Sequence, residues 1–385
     1  MMNKKLLTAA IGAALAAGPM LAQADVKLYG KLHVSVDYVD SKGAGTANAA
    51  DARKNTQVSS NASRWGIDVS EKLGGGMTAI GKIESEVDAT NDAGAAHTSR
   101  NRYVGLKGKF GTVLAGVHDT PFKDTGRAVE FFPEYIGDAR NLTRDRGTVA
   151  TGATSLGWDE RASNAILYRS PNMNGFEISY LHSADANATT TLDDNRRKLG
   201  SLGVKYSKGP LYVGYAYEYH QNPANVGNGL SGTAGSNETE KGTRLSASYN
   251  FGAFKLAGMW QDLKDLGGKA TGDLHGIKRT TWGLGGAYTA GNNVFKVQYY
   301  KAGNLNKADT TVDTTGDNTG ATMYAIGWDH LFSKTAKVYV AYAKTDNASA
   351  SSFRVNHTDS GHGDTTAPAT GNDPQAWSVG MILDF

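Results

Sequence analysis

Apolar and polar residues alternate along most of the chain from Val26 onward. Between Val26 and Tyr38 one set of alternate positions is apolar and the set between them is polar. The same alternation recurs from Arg64, Val213 and Arg244, and in the segment that ends the chain. Because successive side chains of a strand point to opposite faces, a period of two predicts strands with one apolar and one polar face. Helical periodicity is scarcely visible, so we predict an all-β chain.

The segments that join these strands alternate between short and long. The short ones are turns rich in Gly, Asn or Pro, which supply turn dihedrals, at 73–76, 108–111, 171–175, 208–210, 252–253, 291–293 and 332–334. The long ones are polar and lie at 41–62, 89–98, 120–160, 184–195, 221–239, 262–277, 304–319 and 346–373.

Seven turns and eight loops connect sixteen strands. An even strand count with short turns at one rim and long loops at the other is typical of a bacterial outer-membrane barrel. We therefore predict a 16-stranded antiparallel transmembrane β-barrel.

A soluble secreted β-sandwich or an adhesin is the main alternative fold, because it also alternates and has Gly-rich turns. Two features argue against it. Tyr and Trp of the apolar faces lie toward strand ends, as the aromatic girdles of a membrane barrel require. The opposite faces are too polar for a dry core; their charged residues include Lys27, Lys31, Arg64, Lys82, Glu84, Arg161 and Arg244.

The first residues have the three-part layout of a secretory signal peptide. Lys4 and Lys5 precede an apolar stretch at 6–21, and residues 22–24 give a small-x-small pattern. This layout predicts cleavage after Ala24. Residues 1–24 are then the signal peptide and residues 25–385 the barrel domain, and the protein is exported to the bacterial outer membrane.

Composition narrows the chemistry further. The chain has no Cys, which excludes disulfides, thiolate nucleophiles and Cys-based zinc sites. Lys and Arg total 40 against 37 Asp and Glu, a net charge of +3 that gives no indication of nucleic-acid binding. Beyond the N-terminus no apolar run approaches the roughly 18 residues of a membrane-spanning helix.

Several strings, in this order and with matching loops between them, resemble the general trimeric porins of Gram-negative outer membranes. DVKLYGK at 25–31 is similar to the family's first strand, SRWGI at 63–67 to its second and RNRYVGLK at 100–107 to its fourth. RASNAILYRSP at 161–171 resembles the sixth strand, which follows a long third loop. The opening strand looks closest to the neisserial and beta-proteobacterial branch, and the third loop to the enteric branch.

The resemblance implies that the third loop, 120–160, folds into the lumen and narrows it. EFFPEYIGD at 130–138 resembles the family's loop segment in which two acids flank a Pro, so Glu130 and Glu134 are expected to face the opening. The matching wall positions carry basic residues: Lys31, Arg64, Arg100 and Arg161. A charge on the lipid side would cost about 2–4 kcal/mol at mid-membrane, which independently favours lumen-facing positions. Thr98 stands where the family usually has a further Lys.

The expected function is passive diffusion of ions and small hydrophilic solutes through a charged constriction, without a cofactor or a catalytic site. A substrate-specific channel for anions or sugars is the alternative, and an outer-membrane enzyme is a second. His357, Asp359 and His362 have a spacing that could bind a metal, but an exposed loop explains them more simply. The resemblance also implies a homotrimer, contact with outer-membrane lipid and lipopolysaccharide, and recognition of the C-terminal Phe385 by the β-barrel assembly machinery.

Overall fold

A computed structural model describes residues 24–43, 54–90, 97–144, 158–184, 198–221, 239–266, 277–306, 317–356 and 368–385. Within these ranges the chain forms a single antiparallel sheet of seventeen strand segments. They are β1 Asp25–Gly43, β2 Lys54–Ser60, β3 Arg64–Gly74, β4 Met77–Val87, β5 His97–Gly108, β6 Gly111–Asp119, β7 Arg161–Arg169, β8 Phe176–Ser183, β9 Lys198–Lys208, β10 Leu211–Gln221, β11 Thr239–Phe251, β12 Phe254–Lys264, β13 Lys278–Ala290, β14 Asn293–Ala302, β15 Ala321–Leu331, β16 Ala336–Asn347 and β17 Asn372–Asp384.

The sheet closes into a ring of sixteen strand positions. Apart from β2 and β3, which do not pair with each other, each strand pairs with its neighbours in sequence, and β1 pairs with β17 in a register that joins Lys31 to Asp384. The segments β2 and β3 share one position, because β1 pairs with β3 over its first half and with β2 over its second. The predicted 16-stranded antiparallel barrel is confirmed. Closure leaves no open edge around the ring: among the described residues every strand has a backbone partner on both sides except β2, which pairs with β1 alone.

The break between β2 and β3 lies where the sequence predicted the end of the first long loop. Ala62 has a φ of 54° and the ladder is interrupted there. The Ser63 hydroxyl bridges the gap, accepting from the His33 N–H at 3.0 Å and donating to the His33 carbonyl oxygen. The prediction that 41–62 is all loop was therefore wrong: strand pairing of β1 with β2 extends from Val34–Ser60 to Asp40–Lys54.

The seven predicted turns are confirmed as the short connections of the barrel. Each falls between two strands that pair as a hairpin, as at Gly108–Gly111 between β5 and β6. The strand ends that the long connections join lie at the opposite rim. Two short helices, α1 Pro121–Arg127 and α2 Arg140–Thr143, occur in the third loop. The helical turns are a departure from the all-β expectation.

The outside of the barrel is apolar. Val26 and Val104 are each 66% exposed, and Leu28 and Leu284 are 61% exposed, whereas the alternate positions face inward. Burying such side chains in lipid instead of water stabilises the barrel by about 25 cal/mol per Å² of apolar surface. No helix among the described residues is long and apolar enough to cross a membrane.

The seam of the barrel joins Gly30 to the C-terminal residue. The Gly30 N–H donates to the Phe385 carbonyl oxygen at 2.9 Å, and the Phe385 N–H donates to the Gly30 carbonyl oxygen at 3.0 Å. A Cβ atom at position 30 would lie 2.2 Å from Cζ of the Phe385 ring. A side chain at position 30 would displace the Phe385 ring, which covers the glycine backbone directly.

Candidate functional site

The third loop leaves the wall after β6 and lies against the inner face of the barrel. Thr120 caps α1 by accepting a hydrogen bond from the Lys123 N–H at 3.2 Å. The helix packs against β8 to β11. Two contacts fix it there: the Phe122 N–H donates to Ser201 Oγ at 3.1 Å, and Arg244 donates to the Phe122 carbonyl oxygen at 2.9 Å.

The tip of the loop is held by apolar packing against small residues of the far wall. Phe132 and Ile136 are 0% and 1% exposed, within one cluster of buried residues contributed by the loop, β1, β12, β14 to β17 and the segment 353–355. A Cβ at Gly285 would meet the Phe131 ring at 2.5 Å, and a Cβ at Gly327 would meet the Phe132 ring at 2.8 Å. The inner wall therefore lacks side chains where the aromatic rings of the loop need room.

Asp138 shapes the tip, since its buried carboxylate accepts from both sides of the turn. Oδ2 accepts from the Glu134 N–H at 2.8 Å and from Arg127 Nη1 at 3.2 Å, and Oδ1 accepts from the Arg140 N–H at 2.8 Å. Glu134 adopts a φ of 69°, a left-handed conformation that costs a non-Gly residue about 1–3 kcal/mol. These contacts hold the Glu134 side chain toward the wall despite that cost.

Glu134 makes direct ion pairs with two of the predicted wall residues. Arg64 Nη1 donates to Glu134 Oε1 at 3.0 Å, and Lys31 Nζ lies 3.6 Å from Oε2. Burial raises the pKa of the Glu134 carboxyl, but the charges of Arg64, Arg127 and Lys31 more than offset this and hold the pKa at about 2. Glu134 is therefore ionised throughout the neutral and mildly acidic range.

Arg100 faces inward and pairs with wall acids. Its Nε donates to Glu84 Oε1 at 2.6 Å and its Nη1 to Glu86 Oε2 at 2.8 Å. It belongs to the same charge cluster as Arg64, because Arg64 Nε lies 3.9 Å from Glu84 Oε2. A register shift between β4 and β5 places it there, since the pairing steps from Ile83–Arg102 to Ser85–Ser99.

Arg161 lies farther along the wall and does not contact either loop glutamate. Its Nε lies 3.2 Å from Asp119 Oδ1 and donates to Asn101 Oδ1 at 3.0 Å. Lys123 of α1 also binds Asp119, at 2.7 Å. Burial lowers the pKa of Lys123 to about 8, although Asp119 opposes the shift.

Glu130 pairs within the loop instead of facing the wall. Its Oε2 accepts from Arg127 Nη1 at 2.7 Å, and its side chain is 2% exposed. Burial raises the pKa of Glu130, while Arg127 lowers it. Arg127 Nη2 also lies 3.8 Å from Glu134 Oε1, so Glu130 joins the cluster only through Arg127.

The chain matches known proteins along nearly its whole length. A family model described as Gram-negative porin matches residues 7–350. The chain belongs to this family. Outer membrane porin protein 32 of Delftia acidovorans is 29% identical to it over 364 residues, covering 90% of this chain and 91% of the relative. Major outer membrane protein P.IA of Neisseria meningitidis serogroup C is 28% identical over 395 residues, covering 88% and 93%.

Solved structures support the same assignment. An anion-selective porin from Comamonas acidovorans superposes with a TM-score of 0.73 at 25% identity, covering 94% of this chain and all of that one. The OmpF porin of Salmonella typhi, solved with daunomycin, matches at a TM-score of 0.64 and 15% identity, a likeness of fold alone. The protein is an outer-membrane porin, a water-filled channel for passive diffusion of ions and small hydrophilic solutes.

Sequence reasoning did not assign to the constriction several charged residues that this porin places beside the predicted ones. Glu84 and Glu86 neutralise Arg100, Asp119 neutralises Arg161, and Arg127 connects Glu130 with Glu134. A signal existed for Glu84, which alternates with outward-facing residues on β4. The contact between Arg127 and Glu134 depends on how the loop folds, so no sequence period indicates it.

Residues 357–367 of the porin, which include the candidate metal ligands His357, Asp359 and His362, lie outside the described residues. The predicted signal peptide before residue 24 also lies outside them.

Proposed function

We propose that the third loop, 120–160, forms the narrowest part of this porin together with wall residues of β1, β3 and β5. The observation that carries the proposal is the bridge from Glu134 of the loop to Lys31 and Arg64 of the wall. A loop anchored at its tip and at α1 keeps a fixed position in the lumen. The size limit of the channel then follows from where this loop packs.

The charges around this constriction support weak ion selectivity. Basic and acidic side chains alternate along the wall, where Arg64 and Arg100 flank Glu84. The loop contributes both signs, with Glu134 beside Arg127. Permeating cations and anions are each attracted to different groups, so neither sign is strongly excluded.

A channel specific for anions or sugars is the second candidate, and one observation favours the anion-specific form. The structural relative from Comamonas acidovorans is described as anion-selective. For a sugar channel, aromatic residues should line the open lumen, yet Tyr135 and Tyr339 are each 2% exposed or less and pack against each other.

Planar-bilayer recordings under a salt gradient test the proposal. A general diffusion channel gives a large ohmic conductance and a small reversal potential. Block by a low concentration of one sugar or one organic anion would instead identify a specific channel. Absence of any conductance from the folded barrel would overturn the channel assignment.

We propose that the porin functions as a homotrimer. This proposal rests on the family resemblance and on the apolar outer faces of β1 and β17. Unheated detergent gels should show a heat-modifiable band near three times the mature mass. A monomer band under the same mild conditions would contradict the trimer. Lipid and lipopolysaccharide cover the remaining outer surface, and the assembly machinery binds the strand that ends at Phe385.

The proposal includes an N-terminal signal peptide at 1–24 and a channel without catalytic activity. Mass spectrometry of protein isolated from membranes should give Asp25 as the first residue. Lipid and peptide substrates should show no turnover in preparations that conduct ions. Turnover that copurifies with the barrel would show that the porin is also an enzyme.

A further inference from the structure

A buried group of carboxylates and one imidazole lies on the inner wall, apart from the constriction. Glu218 and His220 occupy successive inward positions of β10, Glu240 lies on β11, and Glu160 ends the third loop. Their exposures are 0%, 1%, 1% and 4%. Charged side chains are rarely buried to this degree without a partner that compensates them.

The donor atoms of three of these residues converge. One ligand atom each of Glu160, Glu218 and His220 lies within 4.8 Å of the other two. His220 Nε2 is 2.9 Å from Glu218 Oε1 and 3.7 Å from Glu160 Oε1. Ligands about 2.0–2.2 Å from a tetrahedral zinc ion are separated by roughly 3.4 Å, so small side-chain movements suffice to enclose a metal ion.

The second oxygen of Glu218 points independently to a ligand. Oε2 is fully buried and has no hydrogen-bond partner among the described residues. The Oε1 contact with His220 directs this carboxylate into the cluster. A buried carboxylate oxygen left without a partner carries a desolvation penalty that a bound cation would remove.

The surroundings of His220 match those of a metal-binding histidine. Glu240 Oε2 lies 3.6 Å from His220 Nδ1, on the side of the ring away from Glu218. A carboxylate on the distal nitrogen orients metal-bound histidines and raises their basicity. The Trp158 ring stacks on the imidazole with centroids 4.3 Å apart and is itself fully buried.

We propose that Glu160, Glu218 and His220 bind one divalent transition-metal ion, with Glu240 as the partner of the distal His220 nitrogen. An imidazole with two carboxylates suits Zn²⁺ better than Mg²⁺ or Ca²⁺, which prefer oxygen ligands alone. In the metal-bound form Nε2 coordinates the metal in place of its hydrogen bond to Glu218, the proton that it carried goes to solvent, and Nδ1 carries the one remaining ring proton toward Glu240. The metal would tie the end of the third loop to β10.

The competing explanation is an imidazolium ion that pairs with the glutamates and needs no metal. Zinc titration distinguishes the two. The full-length porin, folded in detergent and stripped with EDTA, is dialysed against ZnCl₂ and its metal content is measured. The proposal expects one zinc ion per chain, lost in Glu218→Gln, and at least about a tenfold weaker Kd in Glu240→Gln.

His182→Gln is the matched control, because His182 lies on β8 opposite the exposed Ile166 on the outer face. It should bind zinc as the parent does. If Glu218→Gln does not fold into a heat-modifiable barrel, Glu160→Gln provides a second test, because it leaves the sequence of the wall strands unchanged. Cobalt substitution should add visible absorption bands that Glu160→Gln abolishes.

Three results would overturn the metal site. They are zinc content well below one per chain, equal affinity in Glu218→Gln, Glu160→Gln and the parent, and loss of zinc only when His357 and His362 are replaced. The last would place the metal in the eighth loop. None of these results bears on conductance, so the channel assignment is tested separately.

Discussion

Arg64 on β3 and Glu134 in the third loop are joined by a hydrogen bond of 3.0 Å across 70 residues of sequence. The bond connects the wall beside the barrel seam to the most strained residue of the loop tip. The bond therefore holds the loop tip against the wall, and its two partners contribute one positive and one negative charge at that point of the lumen. Substitutions at its two ends should have opposite effects on ion selectivity.

We expect Arg64→Ala to shift the reversal potential toward cation preference and Glu134→Ala to shift it toward anion preference. A unit charge about 4 Å away contributes about 1 kcal/mol in water, or roughly a fivefold change in local ion concentration. The effect should weaken as salt rises. Lys72→Ala, an exposed position on β3, is the control and should leave the reversal potential unchanged. Unchanged potentials in both loop and wall variants would mean that ions do not pass this cluster.

Arg100 and Arg102 provide a test of the register shift in β5. Arg100→Ala should favour cations, because it removes a lumen charge that contacts Glu84 and Glu86. Arg102→Ala should not, since Arg102 pairs with the outward-facing Ile83. The comparison uses single-channel reversal potentials of the two variants. A larger effect of Arg102→Ala would show that the two side chains face the opposite way.

Gly137 controls how closely the loop approaches the far wall. It has a φ of 72°, and a Cβ there would lie 2.7 Å from Ala325 Cβ and 2.9 Å from Ala343 Cβ. Gly137→Ala should move the loop tip and alter single-channel conductance, with a loss of stability of about 1–3 kcal/mol.

Gly76→Ala is the matched control for that substitution. Gly76 has a similar φ of 78° but open space around it, so the control isolates backbone strain from the clash. It should lower stability without changing conductance. If both variants conduct like the parent, the loop does not limit the current.

Ion selectivity should persist when the pH is lowered but change when the pH is raised. With a pKa of about 2, Glu134 keeps its charge down to about pH 3, so its contribution to selectivity should persist on acidification. The stability that it contributes is fully present above its unfolded pKa and is lost progressively as pH falls from that value through about 2.

Lys123, unlike Glu134, should lose its charge at moderately alkaline pH, because burial lowers its pKa to about 8. Burial of the charged form is a cost present below pH 8, and the free energy of unfolding should rise as pH increases from about 8 toward the unfolded value. Reversal potentials should move toward cation preference over the same interval. Lys123→Gln should remove that movement, and a parental titration in this variant would contradict the assignment.

The barrel could be predicted from sequence because its determinants are local. The alternation from Val26 to Tyr38 and the turn at 108–111 each depend on neighbouring residues only. The same reasoning failed at 54–60, because a polar segment that pairs with β1 looks like a loop when the lumen side is also polar.

The site could be predicted only in part, since contacts between the loop and the wall depend on tertiary packing. Lys31, Arg64 and Glu134 do come together. Arg100 reaches the cluster through a register shift that no period of two reveals. Glu130 is paired instead with Arg127, because the turn around Asp138 directs it into the loop.

The pairing of Gly30 with Phe385 also has a consequence for biogenesis. The first and last strands of the barrel are neighbours, so the two sheet edges can meet only after β17 has been synthesised and exported. Until then an exported chain carries two unpaired edges that are exposed to other strands. The Phe385 ring lies over Gly30 in this last pairing, so covering Gly30 is among the final contacts that the barrel forms.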